Sequence, residues 1–505
     1  MDEVVLSAGD TAWVLASSAL VLLMTPGLAF FYGGMVRAKS ALNMMMMSII
    51  TIGVVSILWV IYGFKIAFGY EADSPWYGSF STSGLGDAVN ELANNGGVYP
   101  IPLLAFAVFQ LMFAIITPAL ISGAIADRTK FFSWAIFVAI WVTVVYFPVA
   151  HWVFAFGNKV GDTVTGAGYL ASQGVQDFAG GTAVHINAGA AGLALAIVLG
   201  KRIGWQRSPM RPHSLPLVLL GASLLWFGWF GFNAGSALAA NGIAALAFMN
   251  TQVATAGAVI GWILTEKFRD GHPTTLGAAS GAVAGLVAIT PACAFVEPWA
   301  AAVIGLIAGI ACALAVGLKY KLGYDDSLGV VGVHLVGGIV GSLAIGFFGT
   351  SKILGLDGLF YGGGVELLGK QALGVGLVMG YSFVMTLIIG FLIEKTIGFR
   401  VKAESELVGV DDMMSSIIWT RYFLKEQGYD VYDNIIFQDN KSSILLERNG
   451  KLSSGKRTKH INVRYFFITD RISKGEVRVE WCPTGDMVAD FMLKPLQGST
   501  FKKFR

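Results

Sequence analysis

This sequence is poor in charged residues and in cysteine. Asp, Glu, Lys and Arg make up 13% of the 505 residues, against 55% hydrophobic residues and a mean hydropathy of +0.66. Soluble domains carry about 25% charged residues, so the composition excludes an ordinary soluble protein and indicates a membrane protein. Its three cysteines, Cys293, Cys312 and Cys482, show no CxxC or Cys/His spacing. The absence of such spacing excludes a disulfide framework and a zinc site. We therefore expect no metal and no other cofactor.

The few charges are distributed unevenly along the chain. Residues 1–403 contain 37 of them, whereas the last 102 residues contain 30. We therefore predict a membrane domain over 1–403 and a separate C-terminal tail over 404–505. A net charge of +3 gives no reason to expect a nucleic-acid partner.

Eleven apolar runs are long enough to cross a bilayer as helices, which takes about 20 residues. They lie near residues 11–33, 42–69, 101–126, 132–154, 179–200, 214–237, 245–265, 275–293, 298–318, 329–349 and 371–394. Most Lys and Arg residues of this domain follow odd-numbered spans, whereas the long loop 70–100 has none. Because Lys and Arg concentrate on the cytoplasmic side, we predict an all-α, multi-pass membrane protein with its N-terminus outside and its C-terminus inside.

Two spans carry the same pattern of glycines around a histidine, G-x4-H-x3-G-x2-G. These residues are Gly180, His185, Gly189 and Gly192 in the fifth span, and Gly329, His334, Gly338 and Gly341 in the tenth. Because five spans separate the copies, the halves form an inverted five-helix repeat, and transporters with such repeats bind their substrate at the repeat interface. We expect His185 and His334 to meet there.

An ionisable side chain inside a membrane normally faces a pathway or a partner. Two neutral imidazoles can hydrogen-bond each other and still present ring nitrogens to ammonia, water or a proton. The alternative is that each histidine is only a structural hydrogen-bond partner. Aromatic segments, AFAVFQLMFA, HWVFAFG and WFGWFGFNAGSA, accompany them. Aromatic faces attract cations, although a single Phe in a membrane helix is ordinary packing.

Several segments resemble the Amt/Mep/Rh ammonium transporter family. They are PGLAFFYGGMVR, FQLMFA, DFAGGTAVHINAGAAG, WFGWFGFNAGSA and DDSLGVVGVHLVGG, in this order between residue 1 and about residue 411. The resemblance implies a plasma-membrane homotrimer of eleven-helix subunits, each with its own pore, and a transporter rather than an enzyme. It also implies roles for nine residues: Phe113 and Phe232 as a stacked gate with Phe109 nearby, Ser236 and Trp229 lining the outer region and the pore, His185 and His334 as twin histidines, Asp177 shaping the outer site, and Phe154 in the vestibule.

Transport would follow from the cost of burying a charge in a narrow apolar pore. Ammonium would bind outside against Phe113, Phe154 and the Ser236 hydroxyl, lose a proton and pass the gate as ammonia. Potassium cannot lose a proton, so chemistry would exclude it. Many bacterial relatives have Trp where this sequence has Phe154, and a phenyl ring holds a cation less well than indole. Weaker recruitment with retained transport is therefore expected. Asp177 could either cap the fifth span or bind ammonium directly.

Sequence leaves a second function open, an ammonium sensor with little transport that signals through its tail. A PII-type regulatory protein is a possible partner, but the expected continuation of the family's acidic tail after Asp411 is absent. Residues 404–505 instead resemble the ribonuclease H region of copia-type retroelement polyproteins, through ESELVGVDDMMSSIIWTRYFL and CPTGDMVADFMLKPLQG. That resemblance implies a truncated α/β fragment with three metal-binding carboxylates, Glu404, Asp439 and Asp490. A fourth is missing, so we expect no catalysis.

Overall fold

The computed structural model describes residues 4–82, 84–206, 211–401, 425–428, 435–438 and 470–481. The chain divides into two units, Met1–Val401 and Lys402–Arg505. Glu404, Asp439 and Asp490 lie outside the described residues, as does Cys482.

Eleven helices of at least 15 residues are described in the first unit. They are α1 (Ala8–Met35), α2 (Ala38–Phe68), α3 (Leu103–Ile125), α4 (Phe131–Phe154), α5 (Gly181–Leu199), α6 (Leu215–Gly235), α7 (Gly242–Asp270), α8 (Thr275–Ile289), α9 (Pro298–Leu322), α10 (Val331–Phe348) and α11 (Glu366–Thr396). Ten helices in the described part of the chain are long and apolar enough to cross a membrane, and α8, with 15 residues, is shorter.

Helix ends differ from the predicted spans where local capping decides them. The α8 helix ends at Ile289 rather than near residue 293, because Pro291 follows and has no N–H to continue the helix. Conversely, α7 runs to Asp270, five residues beyond its predicted apolar run. Its start is capped by the Asn241 side chain, and Lys267 and Arg269 lie in its last turn, where positive charge stabilises the helix dipole.

Four helices contain a π-helical turn, and two of these turns carry the paired histidines. His185 lies in Gly181–Ile186 at the start of α5, and His334 lies in Val331–Leu335 at the start of α10. A π-turn adds one residue to the helix and is frequent at functional sites. The repeated sequence pattern therefore corresponds to a repeated, unusual backbone conformation.

The glycines of the repeat allow α5 and α10 to cross at very short range. A Cβ on Gly189 would lie 2.5 Å from the backbone nitrogen of Leu335, and one on Gly338 would lie 3.2 Å from that of Ile186. Gly189 and Gly338 each follow their histidine by four residues, and Ile186 and Leu335 each follow it by one. The two contacts are thus reciprocal, as a two-fold related crossing requires.

Short antiparallel hairpins lie between helices. The pair β1 (Leu92–Asn94) and β2 (Val98–Pro102) precedes α3, and the pair β3 (Asn158–Val160) and β4 (Thr163–Thr165) follows α4. In the second unit, β5 (Ile435–Gln438) pairs in parallel with β6 (Arg478–Trp481).

Candidate functional site

A cavity of about 630 Å³ lies next to the start of α5 and to the ends of α4 and α6. Four of the residues predicted to bind substrate line it: Phe113, Phe154, Asp177 and Ser236. Tyr99, Gln110 and Gln176 add polar groups to the lining. We call this cavity the vestibule. Its mixture of aromatic faces and hydrogen-bonding groups suits a small cation that can also donate hydrogen bonds.

Beneath the vestibule, aromatic and imidazole rings follow one another to the histidine pair. The ring centroids of Phe113 and Phe232 are 4.3 Å apart, with planes inclined by 37°. Phe109 contacts Phe113 edge-on at 4.9 Å. From Phe232 the path continues to His185, whose ring centroid is 6.0 Å away. All four side chains are buried.

His185 and His334 are in contact at the crossing of α5 and α10. Their Nδ1 atoms are 3.3 Å apart and their rings are nearly parallel, inclined by 19°. A hydrogen bond between two Nδ1 atoms requires one to donate and the other to accept, so the two rings are in opposite tautomers. The Nε2 atom of His185 is buried and has no hydrogen-bond partner among the residues that the structure describes. It is therefore available to a small solute.

Trp229 and Ser236, both near the end of α6, contact the series of rings. Trp229 stacks on His185 at 5.3 Å, and its indole N–H donates to the Thr290 hydroxyl at 2.8 Å. It lies beside the histidine pair rather than in the vestibule lining. The Ser236 hydroxyl lies in the lining and donates to the Phe232 carbonyl at 2.8 Å. Its oxygen lone pairs remain able to accept from a donor in the vestibule.

Asp177 lies in the vestibule wall, but its carboxylate is already engaged. It accepts backbone N–H bonds from Gly180 and Gly181 at 2.7 Å, from Thr182 at 2.7 Å and from Ala183 at 3.4 Å, and it also accepts the Thr182 hydroxyl at 2.5 Å. These donors are the orphan groups at the start of a helix. The geometry therefore favours the capping role over direct contact with a cation.

Sequence reasoning missed the counterpart of Asp177 in the other half. Asp326 accepts backbone N–H bonds from Gly329, Val330 and Val331 at 2.9 to 3.2 Å. Each aspartate precedes its histidine by eight residues and its left-handed glycine by three. Extending the sequence repeat by three residues towards the N-terminus would have revealed the match. Asp326 is therefore the equivalent of Asp177 in the second half of the repeat.

His151 of α4 lies between two backbone carbonyls, which indicates a structural role. Its Nδ1 lies 3.0 Å from the Ala67 carbonyl oxygen and its Nε2 lies 2.9 Å from that of Ser74. The ring thus anchors the loop after α2 to α4. In the described part of the chain, no group of three or more His, Cys, Asp or Glu residues could hold a metal ion.

A buried cluster of opposite charges lies beside Asp326. Arg202 binds both oxygens of Asp325, at 2.8 and 2.9 Å, and also contacts Asp127 at 3.3 Å. Arg128 lies 3.7 Å from Asp325 and donates to its carbonyl. Burial by itself raises the pKa of Asp325, but the hydrogen bonds and charges of Arg202 and Arg128 hold that pKa below its usual 3.8.

The Asp325→Asn variant tests this cluster through its dependence on pH. Because the folded-state pKa of Asp325 is depressed, its stabilisation is complete above pH 3.8 and is lost as the pH falls through the folded-state pKa. Removing one partner of a buried ion pair costs about 3–5 kcal/mol. We expect the variant to melt at a lower temperature than wild type at pH 7, and the difference to shrink towards pH 3. Asp270→Asn, at an exposed pair with Arg269, is the matched control and should change little. A difference that stays constant with pH would contradict this account of Asp325.

Comparisons with known proteins decide the family. Residues 12–415 match the sequence profile of the Ammonium Transporter Family. The ammonium transporter of Mycobacterium tuberculosis (strain ATCC 25618 / H37Rv) is 54% identical over 442 residues, covering 84% of this chain and 90% of that protein. Ammonium transporter Amt1 of Archaeoglobus fulgidus is 44% identical over 411 residues, covering 80% and 97%. The chain belongs to the ammonium transporter family.

Solved structures agree with this assignment of the ammonium transporter fold. Saccharomyces cerevisiae Mep2 superposes with a TM-score of 0.68 at 33% identity, covering 79% of this chain and 91% of that one. A structure described as a sensor Amt protein gives a TM-score of 0.71 at 29% identity, covering 79% and 96%. This member of the ammonium transporter family is a multi-pass membrane protein.

Proposed function

We propose that this protein transports ammonium across the plasma membrane, by recruiting the cation in the vestibule and conducting ammonia past the Phe113/Phe232 gate to the histidine pair. The observation that carries the proposal is the unbroken series of rings from Phe113 to His334, with centroid distances of 4.3, 6.0 and 5.4 Å. The family assignment supports the substrate.

Recruitment uses the vestibule side of the gate. An ammonium ion there would meet the faces of Phe113 and Phe154 and the oxygen of Ser236. A cation gains about 0.5–2 kcal/mol over an aromatic face. The ion is held without being fully desolvated, because the cavity is open and partly polar.

Conduction requires ammonium to transfer one proton to water in the open vestibule. An unpaired charge between the closed phenyl rings would lose its hydration without compensation, whereas neutral ammonia would not carry that cost. Beyond the gate, the free Nε2 of His185 offers a hydrogen bond to the molecule. Potassium has no proton to lose, so the same barrier excludes it.

The proposal includes an arrangement in the membrane. The N-terminus lies outside, the tail lies inside, and all eleven helices, including the shorter α8, cross the bilayer. Three subunits assemble, each with its own pore. The charge distribution supports the orientation, because Lys and Arg favour the cytoplasmic side, and Arg128 and Arg202, which follow the odd-numbered helices α3 and α5, both contact Asp325 after α9.

We further propose that the tail, 404–505, is a truncated ribonuclease-H-like fragment without catalytic activity. The parallel pairing of β5 with β6 supports an α/β fragment, because parallel strands require a crossover connection. We expect no magnesium-dependent cleavage of an RNA–DNA hybrid by the full-length protein. Cleavage above a no-protein control would contradict this proposal.

Uptake of labelled methylammonium into proteoliposomes tests the transport proposal. Purified protein should give uptake above that of empty liposomes, and added ammonium should compete with it. A Phe232→Glu variant, which places a charge in the closed gate, should reduce the rate to that of empty liposomes. Equal uptake by protein-containing and empty liposomes would contradict the proposed function.

The Phe154→Trp variant tests recruitment separately from conduction. Indole binds a cation more strongly than phenyl, by about 0.5–1 kcal/mol here, so we expect the KM for methylammonium to fall about two- to fivefold with the maximal rate unchanged. Phe227→Trp, at an exposed position on the outer face of α6, is the control and should leave KM unchanged. An unchanged or higher KM for Phe154→Trp would show that this ring does not contact the cation.

A further inference from the structure

Gln371 of α11 joins the vestibule wall to both halves of the repeat. Its side chain is fully buried. The Gln371 amide oxygen accepts the backbone N–H of Gln176 at 2.8 Å, and its amide nitrogen donates to the backbone carbonyl of the same residue at 2.7 Å. The nitrogen also donates to the Ser342 carbonyl of α10 at 3.0 Å. Both of its N–H groups are therefore in use.

The double hydrogen bond fixes the residue that precedes Asp177. A side-chain amide that accepts from the N–H and donates to the C=O of one residue holds that residue as a neighbouring strand would. The next residue along the chain, Asp177, then has to present its carboxylate to the start of α5. The side chain of Gln176 is also confined, because a Cβ on Gly355 would lie 2.3 Å from its amide nitrogen.

The absence of charge explains why the amide of Gln371 suits its position beside the vestibule. In the other half of the repeat, the corresponding turn is held by a cation, since Lys319 donates to the backbone carbonyl of Asp326 at 2.6 Å. A lysine at the vestibule could make a similar bond but would repel an incoming cation. Gln371 supplies the hydrogen bonds without the charge. The neighbouring Lys370 is paired with Glu366 at 2.8 Å.

We propose that Gln371 is a positioning residue for substrate recruitment, which sets the vestibule wall through the Gln176 backbone. This inference rests on the proposed transport function. It predicts an effect on the apparent affinity for the cation, because Gln371 holds the binding surface and does not line the gate or the histidine path.

The Gln371→Met variant removes all three hydrogen bonds at nearly constant volume. Leaving the partly buried backbone groups of Gln176 and the buried Ser342 carbonyl unpaired displaces the wall, and we expect the KM for methylammonium to rise about tenfold, with the maximal rate within about twofold of wild type. Ser382→Ala is the matched control, because Ser382 is a buried polar residue of α11 that donates to the Asn187 carbonyl away from the vestibule. The control should leave KM unchanged.

The Gln371→Glu variant gives a second readout that a general packing defect would not produce. Its carboxylate accepts the Gln176 N–H but cannot donate, whereas its protonated form can donate one bond back. We expect the KM of this variant, relative to wild type at the same pH, to fall as the pH is lowered from 8 to 5.5. Loss of the negative charge alone would raise this KM, so a fall reports the regained hydrogen bond. The pH dependence of this KM also tests the role of Gln371 if the Gln371→Met variant does not fold.

The outcomes separate the two proposals. Absence of uptake by wild-type protein would contradict the transport function itself. Uptake by wild type together with an unchanged KM for Gln371→Met would overturn only the role of Gln371. A Gln371→Glu variant whose relative KM does not depend on pH would do the same.

Discussion

Replacing His185 by leucine is expected to lower the rate of methylammonium uptake by about 5- to 150-fold. The substitution removes the free Nε2 and leaves the Nδ1 atom of His334 without its partner at 3.3 Å. A buried polar group left unpaired costs about 1–3 kcal/mol, and a conducted ammonia molecule would lose a hydrogen-bond partner in the same step. The measurement is the initial rate at equal amounts of reconstituted protein.

His213→Leu is the control for this experiment. His213 lies in the loop before α6, outside the buried histidine pair, with its Nδ1 3.0 Å from the Val36 carbonyl oxygen. It should leave the rate of uptake unchanged. If His185→Leu also retained a rate within about twofold of wild type, the histidine pair would have only a structural role.

The Asp177→Ala variant is expected to abolish uptake and to destabilise the protein. It leaves four backbone N–H groups and the Thr182 hydroxyl without their acceptor, all of them buried. Loss of a single exposed N-cap costs about 0.5–2 kcal/mol, and a buried cap with several donors should exceed that range. Because His185 follows in the same π-turn, the loss also displaces the histidine from its partner.

Two measurements together distinguish a capping Asp177 from one that binds ammonium directly. The melting temperature of Asp177→Ala should fall along with its uptake. Ser214→Ala, which removes the cap of α6 away from the vestibule, should lower the melting temperature and keep the uptake. An Asp177→Ala protein with an unchanged melting temperature and only a raised KM would identify the carboxylate as a ligand.

The sequence was informative where one local signal determines the structure. Apolar length alone located the helices, because a bilayer demands about 20 apolar residues whatever packs around them. The paired histidine pattern predicted the contact between His185 and His334, because an inverted repeat has to bring equivalent residues together at its axis. Helix ends were less accurate, as in α7 and α8, since caps and Pro291 decide them rather than hydropathy.

Other structural features depend on long-range contacts that no local sequence pattern predicts. The π-helical turns at His185 and His334 arise where α5 and α10 cross within van der Waals range, and hydropathy does not record a change of helical period. Gln371 is a single polar residue in a long apolar helix, and its partner Gln176 lies 195 residues away. Asp326 was accessible from the sequence but required the repeat to be extended beyond its glycines.

Selectivity between methylammonium and rubidium, used as a tracer for potassium, tests the central claim most directly. Both labelled ions are offered to the same proteoliposomes at equal concentration, with empty liposomes as the background. If the cation has to lose a proton before the Phe113/Phe232 gate, methylammonium should enter above background and rubidium should not. Entry of rubidium at a rate comparable to that of methylammonium would contradict the claim.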